Sequence, residues 1–215
     1  MKNLYPLLII AGWIILILYS AFSIKKFNPD SKELSRKIVH IGTGPILPLA
    51  WWLNISSEVA ILFSSLITIS LWINYQINWI KTFENIQRKT YGTISYGLSI
   101  TILLFLFWSN NPPAVCAGVL VMAFGDGLAG LIGKQYNSPV WTIFQQKKSL
   151  IGTLTMALVS IFVLLIINTF AASNIQPLQI IAMGLIACCL EQIGPYGIDN
   201  LTVPLGVAFL WAWIT

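Results

Sequence analysis

The chain has 215 residues, 57% hydrophobic and only 9% charged, with a mean hydropathy of +0.80. That balance excludes an ordinary soluble domain and makes this a polytopic membrane protein. The net charge of +5 does not point to nucleic acid, because the cations sit in short loops, where retention on the inner membrane face and contact with anionic headgroups or phosphates account for them.

Apolar runs approaching the roughly 20 residues that a spanning helix needs occur at about 4–24, 38–53, 58–77, 93–108, 112–132, 150–170, 177–193 and 200–214. They predict an all-α fold of about eight transmembrane helices, in a single membrane-embedded domain over residues 1–215. The first run exceeds the ~7–15 apolar residues of a secretory signal and no A-x-A-like site closes it, so a retained helix is expected. Pro45 and Pro48 in the second run and Pro204 in the last predict bent or partly unwound segments beside a polar cavity. After the third run, Ile77, Ile80, Phe83 and Ile86 recur at intervals of three with Lys81, Glu84 and Arg88 elsewhere, the pattern of a helix lying along the interface over residues 75–89. Cys116, Cys188 and Cys189 lie in apolar runs without metal-ligand spacing, so no disulfide framework is implied.

Charge and aromatic residues orient the chain. Of twelve Lys and Arg residues, all but Lys2 fall in three connecting segments: Lys25, Lys26, Lys32, Arg36 and Lys37; then Lys81, Arg88 and Lys89; then Lys134, Lys147 and Lys148. Crossings that begin with the N-terminus outside put all three segments, and 194–199, on the cytoplasmic side. The opposite turns near Asn54, Asn110 and Asn174 carry no Lys or Arg, and Trp51, Trp52, Trp108, Trp211 and Trp213 gather there as an interfacial aromatic belt.

Every candidate chemical group falls at the basic end. Arg36 and His40 share one helical face beside Lys37; Arg36 suits bidentate phosphate contact, whereas His40, the single histidine, is more often a helix-packing residue in a membrane protein. Gly125-Asp126-Gly127-Leu-Ala-Gly130-Leu-Ile-Gly133 places an acid among glycines that let helices approach or let backbone reach a ligand. An ionisable group at that depth marks a site, with Asp126 as catalytic residue or metal ligand and a structural salt bridge or cap as the bland alternative. The same string fits G-x-G-x-x-G, but the lack of a preceding strand argues against a dinucleotide fold. Ser149 of Lys147-Lys148-Ser149-Leu-Ile-Gly152-Thr153 is placed to cap a helix whose free amides and adjoining lysines make an anion site. Glu191, Asp199 and Asn200 complete an acidic set, and carboxylates with substrate phosphates suffice for Mg²⁺ without histidine or cysteine, Asp126 and Asp199 being the expected ligands. A P-loop is absent, since Gly133-Lys134 is followed by Gln135 without the upstream glycine.

In this order the residues resemble the membrane-embedded, CTP-dependent lipid-alcohol kinases, a family of phytol, dolichol and diacylglycerol kinases, with the phytol kinases nearest. The resemblance runs through Arg36-Lys37-Ile-Val-His40, Tyr91-Gly92-Thr93, Gly125-Asp126-Gly127, Lys148-Ser149-x-x-Gly152-Thr153, Glu191 and Asp199-Asn200-Leu-Thr202-Val-Pro204. Many relatives carry Glu before the Gly-Thr of the lysine motif where this chain has Ile151, which weakens the dolichol kinase reading. The resemblance implies transfer of the terminal phosphoryl group of CTP to phytol, with phytol salvage for tocopherol synthesis as the setting. It also implies phosphate contacts from Arg36, Lys37, Lys147, Lys148, Ser149, Gly152, Thr153 and Asn200, and a base that is Asp199 or Glu191.

Two other classes compete. A phosphatidate cytidylyltransferase also takes CTP and a lipid but releases pyrophosphate, and its long acid-rich signature is not found near the end of the chain. A small transporter would also hold buried acids, but it is expected to show inverted repeats and charge near the midplane, and neither is visible.

Overall fold

In an apolar medium each backbone N–H and C=O must be satisfied inside its own segment, so long runs of Leu, Ile, Val and Phe fold as helices. The computed structural model of the chain describes residues 4–27, 32–77, 91–144 and 146–215. Its helices are α1 (Leu4–Phe27), α2 (Lys32–Thr43), α3 (Ile46–Trp52), α4 (Ser57–Ile77), α5 (Gly92–Phe107), α6 (Pro112–Leu120), α7 (Gly127–Gln135), α8 (Leu150–Ala171), α9 (Pro177–Ile193) and α10 (Asp199–Ile214). A π-helical turn, Val121–Asp126, joins α6 to α7. Four stretches, Leu4–Phe27, Ser57–Ile77, Pro112–Gln135 and Leu150–Ala171, are long and apolar enough to cross a membrane, and α5, α9 and α10 are shorter apolar helices. The architecture is that of a predominantly helical membrane protein.

Local sequence sets the helix ends. The Asn111 side chain accepts from the Ala114 amide at 3.3 Å, with Pro112 at the first helical position of α6, where its missing N–H is not needed. Ser149 accepts from the Gly152 amide at 3.2 Å and starts α8, as the sequence predicts. Gln176 and Gln179 form a reciprocal capping box ahead of α9. Asn54 and Asn174 take the left-handed conformation, each at φ 55°, a region asparagine tolerates.

The long, mostly buried rod of α6, the π turn and α7 is the axis of the molecule. Val115, Cys116, Ala117, Val119, Val121 and Met122 on it are fully buried, covered chiefly by α5, α8 and α10. Small residues permit that closeness: a Cβ on Gly118 would collide with the Pro204 carbonyl of α10. α1 lies along α2, with Trp13 Nε1 donating to Gly42 O at 2.9 Å and Ser35 Oγ to Ala21 O at 2.8 Å.

Four departures from the sequence reading appear. The run expected over 38–53 begins earlier, at Lys32, while the interruption expected at its prolines falls at Gly44-Pro45, between α2 and α3, because Pro45 supplies no amide. Pro204, by contrast, stays inside unbroken α10. Trp52 and Trp213 are 77% and 84% exposed, as a belt requires, but Trp108 and Trp211 are 5% and 0% exposed and belong to the core; Trp108 Nε1 donates to Ile55 O at 2.9 Å. Finally, the segment ahead of α8 holds a two-stranded antiparallel hairpin, β1 (Val140–Ile143) with β2 (Gln146–Ser149), pairing Trp141 with Lys148 and Thr142 with Lys147. The predicted interfacial helix falls largely outside the described residues; its first three positions, 75–77, close α4.

Candidate active site

The π turn is where α2 docks. A π turn widens the helix and commonly marks a functional site, and here it carries Asp126 at its end. Lys37, 4% exposed, donates to both Asp126 Oδ2 at 2.6 Å and Asp126 O at 3.0 Å. His40 Nε2 lies 3.3 Å from Met122 O and 3.5 Å from Asp126 Oδ2, and its ring leans on Tyr96 at 4.6 Å between centroids. Glycines make the fit possible. A Cβ on Gly130 would come within 3.0 Å of the Lys37 ammonium, one on Gly127 would collide with Ile41, and one on Gly125 would lie 2.6 Å from Met156 Sδ of α8.

A second lysine repeats the arrangement on α9. Lys148 donates to the Glu191 carboxylate through Oε1 and to Glu191 O at 3.0 Å. The other carboxylate oxygen, Oε2, accepts from Gln192 Nε2 at 3.0 Å. Gln192 Nε2 also reaches Thr153 Oγ1 at 3.0 Å, and Trp141 Nε1 donates to Gln192 Oε1 at 3.2 Å. Ser149 Oγ donates to Gly133 O at 3.2 Å, and α7 and α8 touch so closely here that a Cβ on Gly133 would sit 3.0 Å from Gly152 Cα.

Asp199 opens α10, seated by a tight turn in which Tyr196 is left-handed at φ 55° and Gly197 at φ 87°. Its Oδ1 accepts the Asn200 amide at 3.0 Å and Asn200 Nδ2 at 3.4 Å. Gly194 must be bare, because a Cβ there would lie 2.6 Å from the Asp199 amide nitrogen. The Tyr91 amide donates to Tyr196 O at 3.0 Å; a Cβ on Gly92 would meet Asn200 Nδ2 at 3.1 Å.

These elements bring Asp126, Glu191 and Asp199 together, one carboxylate oxygen of each lying within 4.8 Å of the others. With all three ionised, the acids outnumber Lys37 and Lys148 by one, and among the described residues Asp199 has no ion-pair partner. Both oxygens of Glu191 are engaged, whereas Asp126 Oδ1 and Asp199 Oδ2 take no hydrogen bond from the described residues. Two unengaged carboxylate oxygens on one buried cluster are the hard ligands that suit a divalent ion such as Mg²⁺, with further ligands left to phosphates and water.

The remaining expected residues are distributed around this centre. Lys37, Lys148, Asp126, Glu191 and Asp199 form it; Ser149, Gly152, Thr153, Asn200, Gly125, Gly127 and His40 support it, and Tyr91-Gly92-Thr93 begins α5 against the Asp199 turn. Lys147 points to the opposite, exposed face of β2. Arg36 stands at the rim, its Nη2 donating to Glu33 Oε1 at 3.1 Å. Burial alone would raise the Glu33 carboxyl, but Arg36 and Lys134 outweigh it and hold the group below the ordinary carboxylate range. Sequence reading missed Gln192, Trp141 and Tyr96. The Gln next to Glu191 was the one visible signal, and its meaning depends on a hairpin that was not expected.

No protein-family model and no solved structure matches the chain. Curated proteins do. It is 36% identical over 203 residues to the phytol kinase of Synechocystis sp., covering 92% of this chain and 85% of that protein. Over 205 residues it is 26% identical to phytol kinase 1, chloroplastic, of Arabidopsis thaliana, covering 85% of this chain and 67% of the plant protein. A farnesol kinase of the same plant is 28% identical over 138 residues, 59% of this chain and 44% of that protein. With 36% identity over most of both chains, the protein belongs to the phytol kinase family.

Proposed function

We propose that this chain phosphorylates phytol to phytyl phosphate, with CTP as donor and Mg²⁺ as the metal. About eight spans with the N-terminus outside put the cluster at the cytoplasmic, or stroma-equivalent, face. The observation that carries this reading is the cluster itself, three carboxylates within 4.8 Å at one end of a helical membrane protein, two of them clamped by Lys37 and Lys148, in a chain similar to phytol and farnesol kinases. The positive segments support the orientation, since Lys25, Lys26, Lys134 and Lys147 end or adjoin elements at the same pole as the acids.

The lipid chain lies among the helices with its hydroxyl at the cluster, while the nucleotide arrives from water. Phosphoryl transfer asks the protein mainly for positioning and for charge opposite the moving oxygens. Lys37 and Lys148 supply that charge from fixed points, and Arg36 at the rim meets the outer phosphates. Asp126 and Asp199 would hold Mg²⁺, which when bound would supply positive charge opposite the donor's phosphates. Of Asp199 and Glu191 as acceptor of the hydroxyl proton, Asp199 is favoured, because both oxygens of Glu191 are engaged whereas Asp199 keeps Oδ2 free among the described residues; in that role its free oxygen leaves the metal to Asp126.

The test is an alcohol panel. Membranes containing the chain are given CTP and Mg²⁺ with phytol, geranylgeraniol, farnesol, dolichol or diacylglycerol, and the lipid phosphates are measured. Phytyl phosphate as the main product is expected; preference for dolichol or diacylglycerol would move the substrate assignment. Pyrophosphate release with phosphatidate would move the reaction class.

A further inference from the structure

The Gln192 amide has no freedom in this site. An indole N–H only donates, so Trp141 Nε1 at 3.2 Å fixes which end of the amide is the carbonyl. Nε2 must then face Thr153 Oγ1 and Glu191 Oε2, each at 3.0 Å. The Thr153 hydroxyl is itself committed to Ser149 O at 3.0 Å, so it presents a lone pair to the amide. Every polar atom of Gln192's side chain is thereby used, and the Glu191 carboxylate is held from the side opposite Lys148. Trp141 and Lys148 are direct partners in the hairpin. The hairpin is fastened to α9 at two adjoining points, a charged one at Glu191 and a neutral one at Gln192.

We propose that Gln192 is a positioning residue for phosphoryl transfer: it fixes Glu191 and, through Trp141, the hairpin, so that Lys148 stays within reach of the donor's phosphates. The role rests on the kinase reading above. A triphosphate must draw the Lys148 ammonium away from a carboxylate that already holds it. If that ion pair were the hairpin's only fastening to α9, the exchange would free the hairpin from that helix. The Trp141–Gln192 bond is neutral, so phosphate does not compete for it, and it keeps the hairpin seated while the lysine changes partners.

Three variants of the full chain test this: Gln192→Leu, Trp141→Phe and Gln192→Glu. The first readout needs no catalysis. A water-soluble lysine-acylating reagent modifies the protein without nucleotide, and mass spectrometry gives modification of Lys148 relative to exposed Lys147 in the same strand. Losing a hydrogen bond to a charged group predicts a rise of about threefold or more in that ratio for Gln192→Leu, with Trp141→Phe in the same direction. The second readout separates substrates: the KM for CTP rises about tenfold, the effect of one such bond, while the KM for phytol stays within about twofold. Gln192→Glu keeps the acceptor for Trp141 but sets a second carboxylate against Glu191, so its CTP KM worsens further as pH rises through the carboxylate range. An unchanged Lys148 ratio in both Gln192→Leu and Trp141→Phe would overturn the proposal, as would a changed ratio with CTP KM unaltered. A wild-type chain that transfers no phosphoryl group overturns the kinase reading and this role with it, and the acylation ratio distinguishes that result from failure of the clamp alone.

Discussion

Asp126 and Lys37 form the buried pair on which the rest of the centre is assembled, and their removal is expected to fail in different ways. In Asp126→Asn the isosteric amide still accepts from Lys37, so folding is kept while the unengaged anionic oxygen is lost; kcat should fall about 100-fold or more with thermal stability near wild type. In Lys37→Met the Asp126 carboxylate is left buried without its cation, and breaking such a pair from one side costs about 3–5 kcal/mol. Melting of the detergent-solubilised protein should therefore separate the two variants before any assay does. At this scale the sequence was informative wherever chemistry is written into one short string: Asp126 among its glycines and Lys148 beside Ser149 were legible. That Lys37 belongs to Asp126, 89 positions away, and Trp141 to Gln192, 51 positions away, depends on tertiary contact and had no local signal.

Among the elements, the glycines do unequal work. Gly118 faces the Pro204 carbonyl, whereas a Cβ added to Gly12 on α1 would have nothing within 4 Å. Gly118→Ala should destabilise by roughly 1–3 kcal/mol because backbone cannot yield as a side-chain tip does, while Gly12→Ala should cost nothing, helix propensity favouring alanine; paired thermal-unfolding curves check the contrast. Long apolar helices were legible because their length and apolarity have few alternative readings. The break at Pro45 was legible too, since proline lacks the amide, yet the same rule misjudged Pro204, whose helix continues against α6. The hairpin was missed because strands of four residues, Val140–Ile143 and Gln146–Ser149, leave too short a pattern to stand out from a loop. The π turn was missed because nothing in Val121–Asp126 distinguishes it from ordinary helix.

For the whole molecule, the two ends are chemically unlike. One gathers Asp126, Glu191, Asp199, their lysines and the hairpin; the other has polar turns such as Asn111, whose Nδ2 donates to Thr215 Oγ1 at 2.9 Å. The proposed orientation sets the basic end toward the cytoplasm. In a variant lacking Cys116, Cys188 and Cys189, a cysteine replacing Lys147 should react with an impermeant thiol reagent only from the cytoplasmic side, and one replacing Thr215 only from the other; reversed labelling would invert the topology. The central claim is that this cluster transfers a phosphoryl group from CTP to phytol, and γ-labelled CTP tests it most directly. Purified wild-type chain in lipid discs should yield labelled phytyl phosphate with Mg²⁺, lose that product on chelation and on Asp126→Asn, and give far less with labelled ATP. Unlabelled lipid with pyrophosphate released, or label transfer that survives Asp126→Asn at near-normal rate, would contradict it.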